Sequence, residues 1–322
     1  MRKTVIIGSG FSSAVLTKIL DQNNDILIFD KSRGPGGRSS TRKVENVGFF
    51  DHGLQFVSPE TKEFDFFLNQ YLETFIKEWK GDFRLFEENK KIDKKKYIGK
   101  LGNNDFVKNL IGSEVHYLKE LFSVESVNNK WILQFKDKSV QECEKLILTI
   151  PLEQCQKVTS SLDLNLNFEG SMEPNLTAMI GFKKPLGLTS CGIKFQKNSI
   201  LGWAANESSK LRIGNNESLE LWTLQSSLDF ANKYCHTYRD KKEEVMELMI
   251  REFTTLLKIQ NEEVAHKDIH GWLYAFKNKD FTEKFYWNSD IKLGICGDWM
   301  CGPKAEDAWL SASLLANQIN NS

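Results

Sequence analysis

The sequence predicts an α/β protein in two parts: a Rossmann-like, dinucleotide-binding domain that the chain leaves and re-enters, and a second, α+β domain built on an antiparallel sheet. Three observations predict it. Residues 3–30 read as strand, glycine turn, helix, strand; residues 160–270 carry several short strand-like runs and one amphipathic helix; and residues 292–319 return to strand, glycine turn and helix.

The first unit opens with Val5-Ile6-Ile7, the turn Gly8-Ser9-Gly10, a helix through Ala14, Leu16 and Leu20, and a second strand at Ile26-Leu27-Ile28-Phe29. A short β-branched run closed by glycine suits a parallel strand buried on both faces, which needs a crossover helix. From Thr61 the chain becomes aromatic-rich and charged, with a helix expected over 62–77 and a lysine cluster at Lys90, Lys91 and Lys94 to Lys96 that reads as a solvated hairpin. Residues 105–150 return to the first style, with a helix around Phe106 to Ile111, a strand at Val115-His116-Tyr117, a meander through Trp131-Ile132-Leu133 and a buried strand over 145–150 that Pro151 terminates. Strands are expected at 176–182, 192–196, 200–205 and 219–225. A helix over 241–257 follows, with Val245, Leu248, Met249, Phe253, Leu256 and Leu257 on one buried face. The expected division is 1–60, 97–155 and 275–322 for the nucleotide domain, and 61–96 with 156–274 for the substrate domain.

Composition excludes several functions. With 43 basic and 43 acidic residues in 322, no global field draws a polyanion, so no nucleic-acid partner is expected. The basic start Met1-Arg2-Lys3 precedes too short an apolar run for a secretory signal, and no stretch reaches the roughly 18 to 20 apolar residues of a membrane span. Six cysteines (Cys143, Cys155, Cys191, Cys235, Cys296 and Cys301) show neither a CxxC pair nor histidines at ligand spacing, so no metal site is expected and reduced thiols in the cytoplasm are.

Chemistry starts at Gly8-Ser9-Gly10-Phe11-Ser12-Ser13, which keeps the first two glycines of the dinucleotide fingerprint and carries Ser13 at the third. The first glycine permits the tight turn, and the second lets backbone approach a pyrophosphate at the positive end of the helix. Alone, this is equally a structural turn. Asp30, 22 residues after Gly8 at the end of the second strand, adds the carboxylate that accepts hydrogen bonds from an adenosine ribose, which favours FAD or NAD over a 2′-phosphate. A second glycine-rich loop follows, Lys31-Ser32-Arg33-Gly34-Pro35-Gly36-Gly37-Arg38, and then Phe50-Asp51-His52-Gly53-Leu54-Gln55-Phe56. Glycines flanked by Arg33 and Arg38 suit backbone wrapped around a phosphate-bearing ligand.

These motifs resemble the amine-oxidase branch of the glutathione-reductase-like flavoproteins, where R-x-G-G-R follows the ribose-binding acid; here one extra residue separates Arg33 from Gly36-Gly37-Arg38. A further match is Gly297-Asp298-Trp299, followed by the start of a last helix at Asp307-Ala308-Trp309-Leu310. The resemblance implies an amine-oxidase/p-hydroxybenzoate-hydroxylase-like fold and noncovalent FAD. The residues implied to hold it are Gly8, Gly10, Ser12, Ser13, Asp30, Lys31, Gly37, Arg38, Gln55, Phe56, Gly297, Asp298, Asp307, Trp309 and Leu310. Asp307 reads equally as a first-turn helix acid. Within that branch the chain is most similar to renalase-type proteins, through Tyr97-Ile98-Gly99-Lys100, Gly202-Trp203-Ala204-Ala205-Asn206, Leu221-Trp222-Thr223-Leu224-Gln225 and His270-Gly271-Trp272-Leu273-Tyr274-Ala275. It departs at Ser13 and at Trp299-Met300-Cys301, where smaller residues are usual, and Cys301 raises the alternative of a covalent flavin link.

The resemblance implies oxidation of 2- or 6-dihydro isomers of NAD(P) to NAD(P)+, with oxygen reduced to hydrogen peroxide. Such a substrate is already a hydride donor and needs positioning more than a base. Trp203, Trp222, Trp272 and Tyr274 are candidates for a stacking surface, and His270 for a substrate contact; each is otherwise a core or structural residue. The alternatives are oxidation of an amine, a desaturase acting on another small substrate, and FAD binding without turnover.

Overall fold

The computed structural model describes residues 2–20, 25–162, 164, 168, 170–196, 199–260 and 262–322. Met1, the first residue of the basic start, lies outside the described residues. Two large sheets carry the molecule. In the first, strands Glu114–His116, Ile26–Phe29, Arg2–Ile7, Val140–Leu148 and Leu293–Ile295 run parallel in that spatial order. The antiparallel meander of Leu121–Val127 and Lys130–Phe135 extends it, and Tyr286–Asn288 borders Leu293–Ile295. Val5, Ile6, Ile28 and Leu146 to Leu148 are buried, as a sheet covered on both faces requires. The helices Phe11–Ile19 and Ala305–Asn320 pack on one face through Ala14, Leu16, Ala312 and Leu315, so the two ends of the chain close one domain.

The second sheet orders seven strands as Val264–Lys277, Met172–Phe182, Glu220–Ser226, Leu201–Asn206, Ser190–Lys194, Asp82–Leu85 and Lys90–Lys91. All neighbours are antiparallel except Asp82–Leu85, which runs parallel to Ser190–Lys194. The helix Lys242–Leu256 lays Val245, Met249, Ile250 and Phe253 on one face of this sheet, against Ile180, Phe182, Trp222 and Leu224. Strand side chains alternate faces, so Thr223 and Gln225 point the other way, toward the first domain.

Four expectations are corrected. The helix over 62–77 is Lys62–Leu72, started by Thr61, whose hydroxyl accepts from the Phe64 amide at 3.3 Å, and the chain then forms the strand Ile76–Glu78 paired with Tyr97–Gly99. Its Phe64, Phe67, Leu68 and Leu72 join the first domain's core, so this helix, assigned above to the second domain, packs with the first. The boundary at 274/275 likewise falls inside the single strand Val264–Lys277. Lys90 and Lys91 are exposed on a hairpin as expected, but Lys96 is 2% exposed, with Nζ donating to the Lys94 carbonyl at 2.8 Å and lying 4.0 Å from the Phe83 ring centre. Among the described residues no helix is long and apolar enough to cross a membrane.

Candidate functional site: one cavity with two unlike ends

Parallel strands of the first sheet end together, at Ile7, Phe29 and Leu148, and the loops after them open into a cavity of about 1120 Å3 that continues to the face of the second sheet. Ligands in open parallel sheets sit outside the carboxyl ends of the strands. Gly8 is required by the protein itself: its φ is +105° and a Cβ there would stand 2.7 Å from Thr149 Oγ1. Gly10 is different. A Cβ on Gly10 would meet nothing within 4 Å, because it faces the cavity. The helix Phe11–Ile19 begins at Gly10 with no side chain capping it, leaving first-turn amides to an anion. Gly37, at φ +52°, lies opposite, where its Cβ would be 3.6 Å from Gly10 Cα.

Asp30 lines this end. Its Oδ2 accepts from the Ser9 amide at 2.5 Å and hydroxyl at 2.8 Å, and Oδ1 from the Ser32 amide at 2.6 Å. Each carboxylate oxygen has two acceptor sites, so capacity remains for a ribose hydroxyl. Lys31, Ser12, Gln55 and Phe56 also line the cavity. Arg38 spans to the far end of the chain: Nη1 donates to Asp298 Oδ2 at 2.8 Å and to the Ala275 carbonyl at 2.9 Å, and Nη2 pairs with Asp298 Oδ1. Arg33 is exposed and off the cavity.

The other end is aromatic. His52, His270 and Trp272 form a cluster with ring centres 4.9 Å (His52 to His270), 5.2 Å (His52 to Trp272) and 4.5 Å (His270 to Trp272) apart. The Trp272 indole N–H donates to the His52 carbonyl at 2.8 Å. Trp203, Gln225, Asn175, Tyr238 and Tyr274 complete this chamber. Burial pushes the His52 imidazole down to about 3, with His270 and Arg42 adding to the effect. His270 is lowered to about 4, again chiefly by burial and then by Arg42. Both rings are therefore neutral at pH 7, and both are weak proton acceptors.

The matches to known proteins agree with this layout. Residues 6–70 match the model of an NAD(P)-binding Rossmann-like domain. A candidate protoporphyrinogen oxidase from Exiguobacterium sp. 255-15, known by crystal structure, superposes with a TM-score of 0.75 over 99% of each chain at 8% identity. The two chains share a fold, a Rossmann-like domain joined to a second, sheet-based domain. At that identity the likeness is one of architecture.

Several expected site residues stand elsewhere. Trp222 is fully buried in the second domain's core, because it alternates with Thr223 and the cavity-lining Gln225; a one-residue step puts it on the helix-covered face. Asp307 does not line the cavity: its Oδ2 accepts from the Lys304 amide at 2.9 Å as a first-turn cap, and burial raises its pKa. Trp309 packs on Phe64 and Phe67, and Leu310 is also off the cavity. Ser13 is fully buried where the helix meets the sheet, and Gly297 donates its amide to Ser311 Oγ at 3.1 Å; neither lines the cavity. Trp299 and Met300, each 1% exposed, face the core on the sheet's other side and do not line the cavity. Cys301 is off the cavity too, its thiol pushed up to about 11 by burial.

The sequence reading missed Thr149, Ile150, Asn175, Gln225, Tyr238 and Ala308. Thr149 and Ile150 had a usable signal, since they follow a buried parallel strand. Tyr238 had none: it comes from a turn between helices that folds over Gly271.

Proposed function

We propose that the protein is an FAD-dependent oxidoreductase of the amine oxidase type that takes hydride from a small, already reduced substrate, of which 2- or 6-dihydro-NAD(P) is the best fit. The reading is carried by one observation: a single cavity runs from an uncapped helix start with open space above Gly10 to a chamber whose two histidines are held neutral. The open space over Gly10 and the spare acceptor capacity of Asp30 fit the ADP half of FAD. Gly8, Gly10, Ser12, Asp30, Lys31, Gly37, Arg38, Gln55, Phe56 and Asp298 would hold the cofactor. When bound, FAD supplies the hydride acceptor.

The chain's own residues then have limited tasks. Trp203, Trp272 and Tyr274 offer flat apolar surface that orients a planar ring and keeps water from it. His52 and His270, neutral across the physiological range, add hydrogen-bonding edges without charge. A substrate that needs its own proton removed would find a poor base there, whereas a dihydropyridine leaves as a cation once hydride departs. Oxygen as final acceptor, a cytoplasmic setting and a noncovalent cofactor belong to the same proposal, as does the two-domain division of labour, amended for the helix Lys62–Leu72.

The test is anaerobic mixing of the FAD-loaded protein with candidate donors. The expected result is bleaching of the flavin band by 6-dihydro-NAD and not by ordinary NADH or benzylamine. Bleaching by benzylamine alone would replace this reading with amine oxidation, and bleaching by no donor would leave a binding protein.

A further inference from the structure

Four charged side chains, Asp51, Glu207, Lys210 and Arg212, are fully buried together between the two domains, away from the cavity. Asp51 Oδ2 takes Lys210 Nζ at 2.7 Å and Arg212 Nη2 at 2.6 Å, while Oδ1 takes the Thr41 hydroxyl at 2.6 Å and the Asn103 amide at 3.1 Å. Glu207 takes Lys210 at 2.9 Å, Arg212 at 3.4 Å and the Thr223 hydroxyl at 2.8 Å. Arg212 also donates to the Gly99 carbonyl at 3.3 Å. Two carboxyls and two cations satisfy one another away from water, so removing one leaves its partners buried without their counter-group, although burial still raises the Glu207 carboxyl. Burial works to raise Asp51, but Arg212 and Lys210 override it and hold the carboxyl below the usual range.

What the cluster holds is the start of the cavity wall. Asp51 is followed by His52, whose carbonyl receives Trp272, and by Gly53, whose carbonyl receives Gln225 Nε2 at 2.7 Å. The Leu54 amide donates to the Arg38 carbonyl at 2.8 Å, and a Cβ on Gly53 would stand 2.0 Å from that same oxygen. Segment 52–55 thus lies tightly between the glycine-rich loop that ends at Arg38 and the second sheet, and its upstream end is fixed by a carboxylate that the second domain grips through Lys210 and Arg212.

We propose that Asp51, Glu207, Lys210 and Arg212 are positioning residues: the buried tetrad sets segment 52–55, and so His52 and the ring against Trp272, at the chamber end of the cavity. The consequence for turnover rests on the function proposed above, whereas the consequence for the segment does not. Misplacing a reacting surface by about 1 Å costs on the order of 100-fold in rate.

The test uses the full chain. Glu207→Gln/Arg212→Gln removes one carboxyl and one guanidinium and leaves Asp51 with Lys210; Arg212→Lys keeps the charge and loses the reach to Gly99. In the cofactor-free protein, hydrogen exchange of a peptide covering 50–56 is expected to speed up about tenfold or more in the double variant and about threefold in Arg212→Lys, with a peptide covering 4–19 unchanged. In the loaded protein, the flavin reduction rate constant is expected to fall about 10- to 100-fold with the FAD Kd within about threefold. Unchanged exchange at 50–56, or equal acceleration of both peptides in Arg212→Lys, overturns the proposal. If the double variant does not fold, the Arg212→Lys pair of peptides decides. If wild type takes up no FAD, the functional reading fails while the exchange result still judges the latch.

Discussion

The two ends of the cavity are built on opposite principles. At the glycine-loop end the wall is mostly backbone, an uncapped helix start and a bare Gly10, with one carboxylate already bonded to Ser9 and Ser32. At the chamber end the wall is side-chain rings distant in sequence, His52 of the segment after the strand Gly48–Phe50 meeting His270 and Trp272 of the strand Val264–Lys277. The first end is fixed by local geometry. The second exists only when the domains are assembled. Changes at the first end should therefore alter how tightly the cofactor is held, and changes at the second how fast it is reduced.

The largest separation is expected from Asp30→Ala. Losing a charged acceptor should weaken FAD binding about 100-fold, read by fluorescence titration, with the reduction rate constant of the saturated protein within threefold of wild type. Equal losses in both quantities would erase the distinction between the ends.

Acid should act on the chamber end next. His52 and His270 have been pushed down from their ordinary value to about 3 and about 4, so below about pH 6.5 the unfolded chain takes up protons that the folded chain refuses. Stability is then full above pH 6.5 and falls as pH drops toward 4. His52→Phe keeps a ring and removes the proton site. Between pH 7 and 5 the variant should lose about 2 kcal/mol less than wild type in urea unfolding. Parallel losses would mean that His52 is not held neutral.

A smaller effect is expected from Trp272→Ala, which removes the ring stacked on His52 and its hydrogen bond. Flavin reduction by 6-dihydro-NAD should slow about tenfold with FAD affinity nearly unchanged; a fall in affinity alone would move Trp272 to the other end. Cys301→Ser should do least. It lies off the cavity, so cofactor retention and acid release should match wild type, and any loss of retained flavin would revive the covalent link.

Legibility followed the same division. Gly8, Gly10, Asp30 and Arg38 were readable because a βαβ unit places them by local turns, and Gly36-Gly37-Arg38 closes the loop within forty residues. The chamber was half readable. Trp203 and Trp272 line the cavity and Trp222 does not, a difference set by strand phase, which a sequence with several candidate registers does not fix. The strand Val264–Lys277 escaped as a unit because its first half, through Ala265, His266, Lys267 and Asp268, carries no apolar alternation. The buried tetrad left no signal, since Asp51 and Glu207 are 156 residues apart and only the second sheet brings them together.

The most direct measurement compares FAD binding by wild type and Gly10→Val. A Cβ there meets no protein atom within 4 Å, so the variant should fold with a melting temperature close to that of wild type. The account predicts that wild type binds FAD, released by acid, and that Gly10→Val at equal stability does not. Full FAD occupancy in folded Gly10→Val would contradict it.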